Sequence, residues 1–389
     1  MPKNSRRSFL AAGLAMPAAG LASTQSKRLV SDVPLRLAAD GAPEFRYREL
    51  GSTGIKVTTV GFGCMITSDP IVIERAADIG VNFFDTARSY QSGNNERMVG
   101  AALKAKRKDV ILCTKSGGRD KKTLVEHLET SLRELGTDYI DIWHMHGKSS
   151  PDDITDDHLE AITAAKKQGK IRFAGVSTHR NQASLLLALA KNPHIDAILV
   201  AYNFTMDKEL TSAVNTVRQA GKAVIGMKVM AGGFRKIKPG DPLYDKFQKS
   251  ETMVAALKWV LKNQNVDTTI PSITDLEQLD ANLGAMSSDL TSDDEKLLLA
   301  QLDYIRPLYC RTCGDCDGKC PKGVAIPEVL RHLSYAEGYG QFQMARENFL
   351  ALPEAVRPSR CAECAECVID CPNGVRVAER LARAQELFA

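Results

Sequence analysis

The sequence predicts an α/β protein: a (β/α)8 barrel followed by a small all-α domain. Three observations predict it. Across the middle of the chain, eight short apolar runs alternate with segments of helical periodicity. None of these runs is followed by a G-x-G-x-x-G turn, which argues against a doubly wound open sheet. Eight of the ten cysteines fall after residue 309, where the intervening segments read as helical. The chain has 389 residues, 44% hydrophobic and 25% charged, enough for a sizeable core and a second domain.

The elements follow in order. Asn4-Ser5-Arg6-Arg7-Ser8-Phe9-Leu10 precedes the weakly apolar Ala11-Ala12-Gly13-Leu14-Ala15-Met16. A charged start, a short apolar stretch and then small residues describe a signal peptide, assigned to residues 1–30, with cleavage expected after Ala22. The adjacent Arg6-Arg7 with Phe9-Leu10 resembles the twin-arginine export signal. That route carries folded proteins and implies a periplasmic or extracytoplasmic location. Residues 31–44 read as a linker, and the barrel is expected over 45–303. Phe45–Leu50 and Ile55–Val60 flank Gly51-Ser52-Thr53-Gly54 and predict a hairpin. The eight runs are Thr59–Met65, Asn82–Asp85, Val110–Lys115, Tyr139–His146, Ile171–Ser177, Ala197–Tyr202, Ala223–Lys228 and Thr268–Ile270. Thr123–Leu135, Asp156–Gln168 and Met253–Asn263 have helical periodicity, and Ser292-Asp293-Asp294-Glu295 has capping-box spacing at the start of a late helix. Such a barrel takes about 250 residues, which this span supplies.

Composition excludes some functions. Net charge is +4, from 51 basic and 47 acidic residues, with no basic stripe interleaved with aromatics, so no nucleic-acid partner is expected. No apolar run reaches the roughly 20 residues of a membrane span. Cys64 and Cys113 sit in apolar runs and read as buried core thiols.

In a barrel, chemistry sits at the C-terminal ends of the strands. Those ends present Asp85, Lys115 and His146, with Tyr90 on the loop after the Asp85 strand. Singly, each has a bland reading: a helix cap, a solvated lysine, a satisfied strand-end histidine, a rim aromatic. Together, four polar or titratable side chains converge on one rim.

The pattern resembles the aldo-keto reductase family. Phe84-Asp85-Thr86-Ala87-Arg88-Ser89-Tyr90 matches its F-D-T-A-x-x-Y signature, and Asn95-Glu96-Arg97-Met98-Val99-Gly100 its N/S-E-x-x-[VIL]-G. Tyr139-Ile140-Asp141 leading to His146, and Gly175-Val176-Ser177, match two more of its strands. The resemblance implies a hairpin plugging the barrel bottom and NADP- or NAD-dependent reduction of a small-molecule carbonyl, or oxidation of an alcohol. It implies that Tyr90 is the general acid, with its pKa lowered by Lys115. Asp85 would hold Lys115, and His146 would orient the carbonyl. It places the nicotinamide cofactor on Ser177, the loop Lys228–Gly233 (Lys228 and Gly232 above all) and Asn282. The sequence departs from the family at Thr178, Leu199, Met227, Ser272 and Gln278.

The tail, 304–389, carries Cys310, Cys313, Cys316 and Cys320 before Pro321, and Cys361, Cys364, Cys367 and Cys371 before Pro372. Twice repeated, C-x2-C-x2-C-x3-C-P is the spacing of bacterial two-cluster ferredoxins, and thiolates suit iron–sulfur clusters. Two [4Fe–4S] clusters are expected; disulfides and zinc are the rivals. In the two-cluster arrangement the fourth cysteine of each motif serves the other cluster, Cys320 with the second and Cys371 with the first. Helices are expected at Pro327–Glu337, Gln341–Leu352 and Val375–Phe388, similar to the helical ferredoxin domains of respiratory iron–sulfur subunits. The reading is an exported oxidoreductase, with its clusters structural or serving an electron-transfer partner protein. The alternative is a non-catalytic electron-transfer or scaffold protein with a degenerate nicotinamide site.

Overall fold

A computed structural model describes residues 45–234, 251–357, 361, 364 and 367–388. The expected signal and linker lie outside the described residues.

β1 (Tyr47–Glu49) and β2 (Lys56–Thr58) pair antiparallel, with Tyr47 opposite Thr58. Gly51 turns the hairpin at φ +56°, and a Cβ there would lie 2.4 Å from the backbone nitrogen of Ala223. Eight parallel strands follow: β3 (Phe62–Gly63), β4 (Phe83–Asp85), β5 (Ile111–Ser116), β6 (Ile140–Met145), β7 (Ile171–Thr178), β8 (Ala197–Ala201), β9 (Ala223–Met227) and β10 (Thr268–Thr269). They bond in sequence order, and bridges Val60–Thr269 and Gly63–Ser272 close the last strand onto the first.

Helices fill the connections. α1 (Pro70–Asp78), α2 (Asn94–Leu103), α3 (Lys121–Leu135), α4 (Asp156–Lys167), α5 (Gln182–Leu189) and α6 (Lys208–Gln219) each link consecutive strands, and α7 (Glu251–Lys262) precedes β10. α8 (Leu276–Gly284) and α9 (Ser292–Ile305) complete the barrel. Aspartates start several of them. Asp120 accepts from Thr123 N at 2.9 Å and Asp207 from Leu210 N at 2.8 Å, satisfying backbone donors that a helix leaves unpaired. α9 begins one residue away from the expected box. Thr291 is the cap and Asp294 its reciprocal partner, because Thr291 Oγ1 and Asp294 Oδ2 reach each other's backbone at 3.1 and 2.8 Å.

Two layers of core hold the barrel. The outer joins strands to helices, through Phe84, Leu128, Trp143, Leu186 and Val260. The inner contains Phe83, Cys113, Ile142, Leu199 and Ile225 together with Leu50, Ile55 and Val57 of the hairpin. Burying each such aliphatic or aromatic side chain contributes about 1.5–3 kcal/mol. Ser52 N donates to Gly221 O at 2.8 Å, beside the start of β9. The hairpin therefore plugs the N-terminal end, as the resemblance implies. Cys64 and Cys113 are buried free thiols, as expected.

The tail forms α10 (Ile326–Glu337), α11 (Phe342–Leu350) and α12 (Val377–Phe388). They share a separate core of Val329, Leu330, Leu333, Phe349, Leu381 and Phe388, and several half-buried cysteines pack on its margin. Ala231, Phe234 and Ile305 pack with Leu308 and Tyr309 to join tail and barrel. Among the described residues no helix is long and apolar enough to cross a membrane.

Candidate active site and cysteine pockets

Parallel register brings the four rim residues together. Asp85 ends β4 opposite Cys113 on β5, and Lys115 lies two residues further along β5. Lys115 Nζ donates to Asp85 Oδ2 at 2.5 Å, to Thr86 O at 2.6 Å and to Tyr90 Oη at 3.2 Å. Tyr90 opens a one-turn 3₁₀ segment whose Gln91 and Ser92 have φ of 49° and 54°. Such left-handed backbone costs non-glycine residues about 1–3 kcal/mol and clusters at functional sites. Gln91 Nε2 pins the turn by donating to Thr67 O at 2.8 Å. The His146 ring meets Tyr90 edge-on, with centroids 6.1 Å apart. Asn95 and Glu96 form the scaffold behind: Asn95 accepts from Thr86 Oγ1, and Glu96 from Thr114 Oγ1, both at 2.6 Å.

Electrostatics follow from burial. Asp85 and Lys115 are 2% and 1% exposed, so neither charge has solvent to rely on. Burial opposes the ammonium, but Asp85 and Tyr90 outweigh it and hold Lys115 above its usual range. Burial pushes the Asp85 carboxyl up against the pull of Lys115. For Tyr90 the structure corrects the sequence reading. Burial pushes the phenol up to about 12, outweighing Lys115, so Tyr90 is protonated at neutral pH. His146 is driven down to about 3, first by burial and then by Lys115, Arg331, Lys228 and Lys148, so its imidazole is neutral.

The tail covers this rim. Lys228, just past β9, donates from Nζ to Tyr335 Oη of α10 at 3.1 Å, and its ammonium lies 4.4 Å from the centre of that ring. Tyr335 stacks on Tyr339 at 5.6 Å between centroids. Asn203 Nδ2 donates to Tyr309 Oη at 3.2 Å. Arg180 pairs with both Asp317 and Glu328, and Thr312 Oγ1 donates to His179 O. Sequence reasoning missed Arg331 and Tyr335. Their only local signal is i, i+4 spacing on a single helix face.

The four residues expected to hold a nicotinamide stand as follows. Ser177 is buried and its Oγ accepts from Gly147 N at 2.9 Å. Lys228 is engaged by Tyr335. Asn282 is buried on α8. Gly232 faces protein: a Cβ on it would lie 2.8 Å from the Tyr309 ring, and one on Gly338 would lie 1.8 Å from Gly232 O. Tyr309 and Gly338 thus pack directly against this loop.

The cysteines group across their motifs. Cys310, Cys313, Cys316 and Cys371 line one pocket with Ile326, Leu330 and Val375. The Cys361 thiol feels Cys364, Cys320 and Cys367, after burial. Among the described residues no group of three or more His, Cys, Asp or Glu is placed to hold a metal ion. The first four sulfurs instead surround an apolar pocket, a donor set suited to a cluster. Asn373 Nδ2 donates to Cys313 Sγ at 3.3 Å and Thr312 N to Cys310 Sγ at 3.4 Å; such bonds tune cluster potentials.

Against known families, the model of the aldo/keto reductase family matches residues 71–301, more than half of the 389. The chain belongs to the aldo/keto reductase family. A 4Fe-4S dicluster domain model matches residues 309–375. YqkF, an uncharacterized oxidoreductase of Bacillus subtilis, is 27% identical over 64% of this chain and 94% of its own. L-galactose dehydrogenase of Arabidopsis thaliana is 27% identical over 65% of this chain and 92% of its own. The holo form of aldo-keto reductase AKR11C1 from Bacillus halodurans superposes with a TM-score of 0.56 at 27% identity, covering 66% of this chain and 96% of its own. This member of the family is thus an oxidoreductase barrel carrying an iron–sulfur domain.

Proposed function

We propose that the chain interconverts a small-molecule carbonyl and its alcohol at Tyr90, under a cover supplied by the cluster-bearing tail. One observation carries the reading: Lys115 Nζ donates to Asp85 and to Tyr90 Oη at once. In the reductive direction the carbonyl carbon would take a hydride from reduced nicotinamide when bound, and Tyr90 Oη gives its proton to the carbonyl oxygen as that oxygen gains charge. The Lys115 ammonium then faces the phenolate, and Asp85 keeps that ammonium charged and aimed. The neutral His146 hydrogen-bonds the carbonyl oxygen and fixes its approach. Excluding water from this rim strengthens each of these interactions.

NADP(H) or NAD(H), as the resemblance implies, would be held by Ser177, the loop with Lys228 and Gly232, and Asn282. In the tail, the reading gives one [4Fe–4S] cluster to Cys310, Cys313, Cys316 and Cys371, and the other to Cys361, Cys364, Cys367 and Cys320. These groups supply one-electron chemistry when bound. Cys313 and Cys367 are exposed, which suits exchange with an electron-transfer partner protein. Export by the twin-arginine route, after the clusters are inserted, belongs to the same reading.

The test uses anaerobically purified, cluster-loaded full chain, assayed for carbonyl reduction and alcohol oxidation with NADPH, NADH or dithionite. Tyr90→Phe is expected to lower kcat/KM by about 10²–10⁴-fold, the usual contribution of a general acid. Unchanged turnover would overturn the assignment.

A further inference from the structure

The rim carries more positive charge than its own chemistry uses. Lys115, Lys228 and Arg331 all act on His146, whereas among the described residues Asp85 is the only carboxylate engaged by any of the three. Glu328, on the same helix as Arg331, is held by Arg180. Among the described residues neither Lys228 nor Arg331 has a carboxylate partner within 4.0 Å. The only hydrogen-bond acceptor that Lys228 Nζ reaches there is the Tyr335 hydroxyl, and its other neighbours are the faces of Tyr335 and Tyr339. Arg331 Nε is buried and has no partner, as are Nδ1 of His179 and Nδ1 of His332.

Lys228 and Arg331 are half-buried, and drawing a cation out of water without a carboxylate partner is costly. Lys228 adds backbone strain, with φ of +55° at a non-glycine residue. That conformation costs about 1–3 kcal/mol and persists where surrounding structure enforces it, as functional sites do. The two cations come from different domains, Lys228 from the end of β9 and Arg331 from α10. The feature therefore exists only when the tail lies on the barrel.

We infer that Lys228 and Arg331 bind a carboxylate carried by the substrate, beside the carbonyl that Tyr90 protonates. The inference rests on the proposed function above and adds the substrate class: a small oxo or hydroxy acid. A guanidinium presents a planar fork that matches a carboxylate, and a nearby ammonium adds a point charge. Unpartnered imidazole nitrogens on His179 and His332 supply further polar contacts to the same group. A dinucleotide phosphate is the poorer occupant, because Tyr309 and Gly338 already pack against the Gly232 loop that would cradle it.

The test is equilibrium binding to the cluster-loaded full chain under anaerobic conditions, using a matched pair. 2-Oxobutyrate carries the carboxylate; 2-butanone has a methyl group in its place. Inorganic phosphate is the third probe. The wild-type protein is expected to prefer 2-oxobutyrate over 2-butanone by about tenfold or more, and over phosphate. In Arg331→Gln and in Lys228→Met, the acid-over-ketone preference is expected to collapse to about twofold or less. Iron content and circular dichroism establish that each variant is folded. No preference in the wild type, a preference retained in both variants, or phosphate bound more tightly than the acid would overturn the inference. Binding needs no turnover, so the same measurement in Tyr90→Phe separates the two readings. If Tyr90→Phe is fully active yet the acid preference still depends on Arg331, the carboxylate site stands and the role of Tyr90 falls.

Discussion

In the barrel, the titratable groups stand on strand ends whose register is set by the sheet. In the tail, the cysteines stand on loops between helices, and their grouping is set by which helices pack together. Lys115 reaches Asp85, Thr86 and Tyr90 through three hydrogen bonds, and would do so without any ligand. The tail sulfurs have few such bonds; they line a pocket and await a group to hold. The barrel site is thus preorganised by its own fold, whereas the tail site gains order from its clusters. The two meet at one seam, where α10 lies over the barrel rim.

Four perturbations would break or sharpen that contrast. The largest acts on the tail. Cys371→Ser should remove the cluster shared with Cys310, Cys313 and Cys316, taking iron from about eight per chain to about four. The electron paramagnetic resonance signal of the Cys361 group should survive; its loss in place of the other would mean that each motif holds its own cluster. Next, Lys115→Met leaves Asp85 as a buried unpaired charge, and breaking such a pair costs about 3–5 kcal/mol. Its melting temperature should fall while iron content stays at the wild-type level. Loss of iron would show that the barrel site and the tail do not fold independently.

Gly338→Ala acts on the seam. Its Cβ would lie 1.8 Å from Gly232 O, so the tail must shift. A cost of about 1–3 kcal/mol is expected, typical of overpacking, together with faster hydrogen exchange in the loop 228–234. Unchanged exchange there would mean that the tail does not bear on the loop. The gentlest effect is a slope. Burial, before any charge, lowers His146 and His332 to about 3. Below the ordinary histidine value of about 6.5 the unfolded chain therefore binds protons that the folded chain does not. Stability should fall as pH falls from about 6.5 towards about 3, by up to about 1.4 kcal/mol per unit for each histidine. His332→Gln should flatten that slope without moving the neutral-pH midpoint much, as read by thermal melts across pH.

Much of this was legible in the sequence, for physical reasons. Strand ends are readable because apolar runs stop where the barrel meets solvent, so Asp85, Lys115 and His146 could be placed on one rim. Crossed cysteine grouping was legible because three ligands two residues apart leave the fourth out of reach. The phenol of Tyr90 was misjudged because its neighbour Lys115 is visible in a motif, whereas its burial is not. The cap of α9 slipped by one residue because Thr291 and Ser292 are both good caps and only backbone geometry chooses between them. The seam left no trace: Lys228 and Tyr335 are 107 residues apart, and no local pattern records their contact.

That seam is the central claim, and one titration tests it directly. Burial raises the Tyr335 phenol, but Lys228 and Arg331 outweigh burial and hold it below its usual value. Carbon-13 tyrosine NMR of the oxidised, cluster-loaded full chain would follow it, with the resonance assigned through Tyr335→Phe. The phenol is expected to ionise below the ordinary tyrosine value of about 10, and Lys228→Met, a change in the barrel, should move it upward. An ordinary value of about 10, unmoved by Lys228→Met, would contradict a tail seated on the barrel rim.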